Sequence, residues 1–411
     1  MASVNSASFK SVLSRTGEQP VNHMKDVVNR DRARAQKLQS GMQPHGPLAF
    51  HELRKKPAHH VGAPATEDHN NTSVDVTDSA VTYVMPVAIG NPATTFSLLI
   101  DTGSSNTWVG AHKGYTPTST SQTQGNEVQV TYGSGSFVGT EYTDTVALSP
   151  NMVIQDQSIG VAKRAQGFGD PNVHGILGIG PVVLTQSTVK DMPSVPTITD
   201  NMLSQGIIKT ESIGIFFAPT PDKSQNLANG ELTFGAVDES KIITPMKYVP
   251  ITKTSPANRY WGIDQTIKYD GSEIMSKSAG IVDTGTTLIM LATDTLEKYK
   301  NATGAVFDRA TGLLTVTDEQ FKEMKSMEFH IGGTTYELTP NGQIWPRAMN
   351  ASVGGRADTI YLVFADMGQP SGSGLDFING FAFLQRFYSV YDTTNSRVGF
   401  AETQFTRAET N

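Results

Sequence analysis

Asp101-Thr102-Gly103 and Asp283-Thr284-Gly285 are two near-copies of one tripeptide, and each offers a carboxylate in a setting that suits chemistry. The first closes the apolar run Phe96-Ser97-Leu98-Leu99-Ile100, the second the run Ala279-Gly280-Ile281-Val282. Hydroxyl residues follow each, Ser104-Ser105 and Thr286-Thr287. A buried strand that ends in Asp and then Gly delivers an acid to a sharp turn. One Asp-Thr-Gly would be ordinary turn chemistry. Two in matching settings imply a duplicated lobe, each copy supplying one Asp to a shared cleft. Two carboxylates held close cannot both ionise freely, so one stays protonated while the other is a base. Such a pair can activate a water and protonate a carbonyl oxygen.

Stepping out from these loops, the supporting elements repeat as well. Ile176-Leu177-Gly178 follows the first Asp and Phe377-Ile378-Asn379-Gly380 the second. Thr131-Tyr132-Gly133-Ser134-Gly135-Ser136-Phe137 reads as a hairpin with a Gly-rich tip. No Gly-Lys-Ser/Thr follows it, so it is not a phosphate cradle. A mobile hairpin over a cleft is the better reading, with Tyr132 shielding the site from water. Toward its C-terminus the chain carries Phe387-Tyr388-Ser389-Val390-Tyr391-Asp392 and Arg397-Val398-Gly399-Phe400-Ala401.

From about Val81 to about Ala401 the chain resembles the pepsin family of aspartic proteases, in its cysteine-free fungal, polyporopepsin-like branch. The resemblance implies an all-β, bilobal fold with a cleft between two related lobes, preceded by a propeptide. It divides the chain into a propeptide (1–68), an N-terminal lobe with the first Asp and the flap (69–244), and a C-terminal lobe with the second Asp (245–411). By that resemblance Asp101 and Asp283 are catalytic. Tyr132, Gly103, Gly133, Ser134, Gly285 and Thr286 contact substrate, while Ser104, Thr284 and Trp108 support them. Ser104 and Thr286 are expected to hydrogen-bond the outer carboxylate oxygens. The propeptide is expected to set a lysine against the catalytic pair, with Lys55 or Lys56 available. Partners are protein and peptide substrates, pepstatin-type inhibitors and the chain's own propeptide. No metal or organic cofactor is required, and a monomer is expected. In Phe377-Ile378-Asn379-Gly380, Asn379 intrudes where the family carries an apolar residue, which leaves its packing open.

The composition agrees. The 411 residues can bury large cores, and 38 glycines with few long helical patterns suggest a mostly β protein. The absence of cysteine excludes disulfides, thiolate metal sites and thiol catalysis. The net charge of −7 is unevenly placed, since residues 1–60 are basic and the rest acidic. That asymmetry suggests a basic segment lying on an acidic body, the alternative being a solvated tail. Nothing supports nucleic-acid binding, and no apolar run is long enough to span a membrane. A secreted or vacuolar protein is expected, with its signal peptide trimmed.

Residues 1–68 are charged and short of strand patterns. Asp31-Arg32-Ala33-Arg34-Ala35-Gln36-Lys37-Leu38 is good helix-forming sequence. Six of the nine histidines fall here or at the edge: His23, His45, His51, His59, His60 and His69. The polar stretch from Pro57 to Ser73 is a plausible cleavage linker. Strands begin at Val81, a helix is expected over 292–299, and the lobe boundary is placed near Thr244. Sequons begin at Asn70, Asn71, Asn301 and Asn350.

A metalloenzyme is poorly supported, because His112, His174 and His330 are widely separated and no H-E-x-x-H occurs. A serine hydrolase would need a G-x-S-x-G elbow. A glycosidase also uses two carboxylates but leaves the flanking repeats unexplained. The remaining rival is a pepsin-fold binding protein without catalysis. Such relatives usually lose an Asp or its loop, and here both loops and the flap tyrosine are intact.

Overall fold

The structure, a computed structural model, describes residues 5–13 (as backbone), 23–40, 46, 81–219 and 230–411. In chain order the first strands are β1 (Asn5–Leu13), β2 (Val81–Ile89), β3 (Thr94–Asp101), β4 (Thr107–Val109) and β5 (Glu127–Thr131). They are followed by β6 (Ser136–Ser149), β7 (Met152–Gln166), β8 (Gly175–Gly178), β9 (Ser212–Phe217) and β10 (Gly230–Phe234). The all-β expectation holds, and β2 opens at Val81 as anticipated.

The two Asp loops sit on one repeated plan. In the first, β3 runs parallel to β8, with Asp101 level with Gly178, and β4 pairs antiparallel with β8. The second lobe carries β11 (Lys247–Pro250), β12 (Gly262–Tyr269), β13 (Ser272–Val282) and β14 (Ile289–Leu291). There β13 runs parallel to strand Phe377–Asn379, with Val282 level with Asn379, and β14 pairs antiparallel with that strand. Each plan threads a carboxylate between two strands at the end of a buried run, so its backbone is fixed from both sides.

Asn379 finds its place in this geometry. It is wholly buried, and its Nδ2 donates to Gln265 Oε1 at 2.9 Å. The amide therefore has a neighbour on β12, and the strand packs without an orphaned donor.

The N-terminal segment departs from the reading that it is short of strands. β1 lies in the middle of a 13-stranded sheet, pairing with β10 on one side and β2 on the other. Its apolar residues Ala7, Phe9, Val12 and Leu13 do not keep one alternation through the strand, so the periodic signal is weak. The ladder hydrogen bonds of two neighbours hold it instead. Helix α1 (His23–Gln39) matches the helix-forming stretch and extends it toward its N-terminus. Met24, Val27, Val28, Ala35 and Leu38 line its buried stripe at helical spacing. The calls on His45, His51, His59, His60, His69, Lys55, Lys56, Asn70, Asn71 and the Pro57–Ser73 linker lie outside the described residues.

The helix expected near 292–299 is Thr293–Thr303, ended by Gly304 in the left-handed conformation. Asn301 on this helix is exposed. Asn350 is wholly buried and its Nδ2 donates to the carbonyls of Arg356 and Thr359, so this sequon has no room for a sugar in the folded chain. Among the described residues no helix is long and apolar enough to cross a membrane.

One buried acid sets a limit on the N-terminal lobe. Glu141 on β6 is 7% exposed, it accepts from Ser158 Oγ, and its Oε2 has no hydrogen-bond partner among the described residues. Burial pushes its carboxyl up to about 7, with the Ser158 hydrogen bond opposing. A carboxyl raised on folding favours the fold while protonated, and that stabilisation is lost as pH rises through the folded value. The full chain should therefore melt at lower temperature at pH 8 than at pH 5.5, with Glu141 contributing about 2 kcal/mol of the difference. Glu141→Gln should flatten the profile in thermal unfolding. An unchanged slope would show that this carboxyl is not responsible.

Candidate active site

The site forms where the two Asp loops meet, and both carboxylates are wholly buried. The loops are locked to each other through their threonines. Thr102 N donates to Thr284 Oγ1 at 3.0 Å, and Thr284 N donates to Thr102 Oγ1 at 2.9 Å. Thr284 Oγ1 donates in turn to the carbonyl of Ile100 at 3.0 Å. This reciprocal lattice fixes the separation of the loops without using either carboxylate.

Each carboxylate is then held by its own turn. Gly103 N donates to Asp101 Oδ1 at 2.9 Å and Ser104 Oγ to Asp101 Oδ2 at 2.5 Å. Gly285 N donates to Asp283 Oδ1 at 3.0 Å and Thr286 Oγ1 to Asp283 Oδ2 at 2.6 Å. The two Oδ1 atoms point inward. A Cβ on Gly103 would lie 2.7 Å from Asp283 Oδ1, and one on Gly285 would lie 2.5 Å from Asp101 Oδ1. Only glycine lets each loop approach the other's carboxylate.

A guanidinium bridges the pair. Arg34 of α1 donates from Nε to Asp283 Oδ2 at 2.6 Å and from one terminal nitrogen to Asp101 Oδ1 at 2.5 Å. The same nitrogen lies 3.0 Å from Asp283 Oδ1. Burial raises both carboxyls. In Asp283 the Arg34 charge and hydrogen bonds, with Thr286 and Gly285, outweigh burial and hold it below the usual carboxylate value. In Asp101 burial prevails over Arg34, and the neighbouring Asp283 charge adds to it, so its pKa is raised. The pair thus splits into one ionised and one readily protonated acid.

Two further contacts of α1 seat it. The Asp31 carboxylate accepts from the backbone N–H of Thr287 and of Leu288, each at 2.9 Å. Arg30 donates to Thr287 Oγ1 at 2.7 Å. None of Arg34, Asp31 or Arg30 was singled out in the sequence. Their shared signal was the basic helix-forming stretch, in which spacing alone does not say which cation points inward. The cation beside the pair is an arginine on α1, where a lysine had been expected; Lys55 and Lys56 lie outside the described residues.

The flap residues gather opposite. β5 and β6 form the hairpin, with Thr131 level with Ser136 and Tyr132 N donating to the Gly135 carbonyl at 2.7 Å. Trp108 Nε1 donates to Tyr132 Oη at 2.9 Å, which fixes the ring. A Cβ on Gly133 would lie 2.2 Å from Arg34 Cα, so the hairpin closes directly onto α1. Tyr132 and Ser134 line a cavity shared with Asp101 and Gly285. Of the predicted site residues Asp101, Tyr132, Ser134 and Gly285 line this cavity, and the others adjoin them through the contacts described above.

A family model described as eukaryotic aspartyl protease matches residues 82–403. The chain is 57% identical over 342 residues to polyporopepsin of Irpex lacteus, covering 82% of this chain and 99% of that protein. It is 30% identical over 342 residues to cathepsin E of Rattus norvegicus, covering 78% and 79% of the two chains. A crystal structure of aspartic proteinase from Irpex lacteus superposes with a TM-score of 0.78, at 57% identity, over 80% of this chain and 96% of that one.

The threonine lattice makes a stability prediction. Thr284→Val removes the hydroxyl that serves Thr102 N and Ile100 O, leaving a buried N–H and carbonyl unpaired. It should destabilise the full chain by about 2 kcal/mol in urea unfolding, whereas Thr284→Ser should recover most of the loss. Equal stability of the valine variant and the wild type would mean that the lattice contributes nothing.

Proposed function

Since the chain belongs to the eukaryotic aspartyl protease family and is an aspartic endopeptidase with a pepsin-like bilobal fold, we propose that Asp101 and Asp283 hold its attacking water and that residues 1–68 form an inhibitory propeptide. In this reading residues 69–244 are the lobe of the first Asp and the flap, and 245–411 the lobe of the second. The observation that carries it is the Arg34 guanidinium lying across both carboxylates, in the space where a water would be held.

With α1 withdrawn, the ionised Asp takes a proton from the water as its oxygen attacks the peptide carbonyl carbon. The protonated Asp gives its proton to the carbonyl oxygen, so charge does not build up on either side. The Asp that took the water's proton then gives it to the amide nitrogen as the C–N bond breaks. The other Asp takes a proton from a hydroxyl of the intermediate, so that an acid and an amine leave and the pair is restored. The proton's location at each step belongs to the pair. Ser104 and Thr286 favour ionisation by donating to the outer oxygens. Tyr132, anchored on Trp108, shields the water, and Gly133 and Ser134 meet the substrate backbone as the flap closes.

Arginine stays charged at any working pH, so acid must open the contact from the carboxylate side. Asp283 is depressed by Arg34, hence its contribution to docking is present above its undocked pKa and lost as pH falls through the docked value. Protonation of other acidic groups on the body weakens the attraction further, near the ordinary carboxylate values of about 4. The zymogen should be stable at neutral pH and cut itself below about pH 5, between Pro57 and Ser73. Acid incubation followed by mass spectrometry tests this. Asp101→Asn and Asp283→Asn should each lose at least about 1000-fold in peptide hydrolysis and stay unprocessed, and pepstatin should inhibit the wild type. Trimming of the Asp101→Asn chain at the wild-type rate, with no other protease present, would defeat self-processing. Full activity of either mutant would defeat the catalytic assignment.

Specificity follows from the pocket beside Tyr132, whose walls next to Asp101 include Leu99 and Ile176. Ser134 at the flap brings no charge to pair an ammonium against the Leu99 and Ile176 wall beside Asp101, and burying an unpaired one there is costly. Large apolar residues are therefore preferred at the cut. Matched peptides with Phe or Lys immediately before it should differ by at least about tenfold in kcat/KM; equal rates would refute the preference. An acid-active, monomeric enzyme of the extracellular space or vacuole fits this reading, with Asn301 the exposed glycosylation acceptor among the described residues.

A further inference from the structure

The cavity beside Tyr132 contains a carboxylate that the hydrolysis does not use. Asp170, on the loop after β7, is 2% exposed and lines the cavity with Ser134, Gly167 and Phe168. Its Oδ1 is engaged, accepting from Asn172 N at 2.8 Å and from Asn172 Nδ2 at 3.1 Å. Its Oδ2 is buried and has no hydrogen-bond partner among the described residues. An orphaned carboxylate oxygen is costly, and so calls for a donor that arrives later. The loop is well built around it: Val173 N donates to the Asp170 carbonyl at 3.0 Å, and Phe168 packs edge-on against Trp108 and Tyr132.

The cavity in the present state is a remnant of about 60 Å³, because α1 covers it, and Arg30 and Arg34 form part of its lining. When α1 leaves, both cations leave with it. The wall then runs from Leu99, Ile176 and Tyr132 beside Asp101 to the carboxylate of Asp170. In an extended peptide, alternate side chains face the same way and lie about 7 Å apart. The residue before the cut meets the apolar wall, and the residue two positions upstream shares its face.

We propose that Asp170 recognises a cationic side chain, lysine or arginine, at the third substrate residue before the scissile bond. This rests on the protease reading above. The aliphatic stem of such a residue lies along Phe168 while its head donates to Asp170 Oδ2, a charge-assisted hydrogen bond. Asp170 thereby gives the enzyme a basic preference upstream of an apolar cut, for which Ser134 provides nothing.

The test uses acid-activated enzyme and peptides with Phe before the cut. The third residue before the cut is varied among Lys, norleucine, Arg and citrulline. Wild type should prefer Lys over norleucine, and Arg over citrulline, by about tenfold in kcat/KM. Asp170→Asn keeps the Oδ1 acceptor for Asn172. It should bring both ratios to about one while leaving the norleucine peptide within about twofold of wild type. Wild-type ratios near one overturn the proposal whatever the variant does, as do elevated ratios that Asp170→Asn leaves unchanged. Failure to cleave even the norleucine peptide would instead overturn the protease reading itself.

Discussion

Everything in the cleft answers to one constraint: two fully buried carboxylates face each other across the junction of the lobes. Burying one such charge costs several kcal/mol even after relaxation, and a second beside it adds repulsion. The loops answer with directed donors. Each Asp receives a glycine N–H and a hydroxyl from its own turn, so the hydrogen bonds are local and duplicated. The distance between the acids is set elsewhere, by the threonines that exchange hydrogen bonds between the loops. This separation of tasks leaves each inner oxygen, which takes only the glycine N–H from its own loop, able to accept from a third party as well.

In the present state that third party is Arg34. A planar guanidinium can donate from several nitrogens at fixed angles, and here it spans both acids at once. A lysine ammonium would sit there as a compact point charge. The rest of α1 shares the seating. Asp31 caps the two backbone N–H groups of Thr287 and Leu288 just past the second Asp loop, and Arg30 meets the Thr287 hydroxyl. Three residues at helical spacing thus engage the second loop and the acids together, which couples their release.

The parts legible in the sequence were those written locally. The Asp loops, the flap tyrosine, the supporting serine and threonine and the strand that starts at Val81 all depend on neighbours within a few residues. What was not legible depends on distant partners. Asn379 read as an intrusion because its partner, Gln265, lies 114 residues away. β1 was missed because a strand held by ladders on both sides needs little apolar pattern of its own. Arg34 stood in a recognised helical stretch, but which of several cations points into the cleft is decided by the docked angle of α1. The open oxygen of Asp170 exists only once the loop after β7 has folded.

A protease cleft filled by part of its own chain raises the question of why that part survives. The geometry of α1 supplies the reason. A helix spends its backbone N–H and C=O groups on itself, so it offers neither an extended strand for the flap to pair with nor a peptide carbonyl presented to the acids. Gly133 nevertheless sits against the Arg34 backbone, so the flap is closed on a shape that it cannot process. At the same time the guanidinium occupies the inner oxygens through which a water would be held. In the proposed zymogen the blockade therefore has two independent layers, one of backbone form and one of charge. On that proposal acid acts on the second directly and reaches the first only through the undocking that follows.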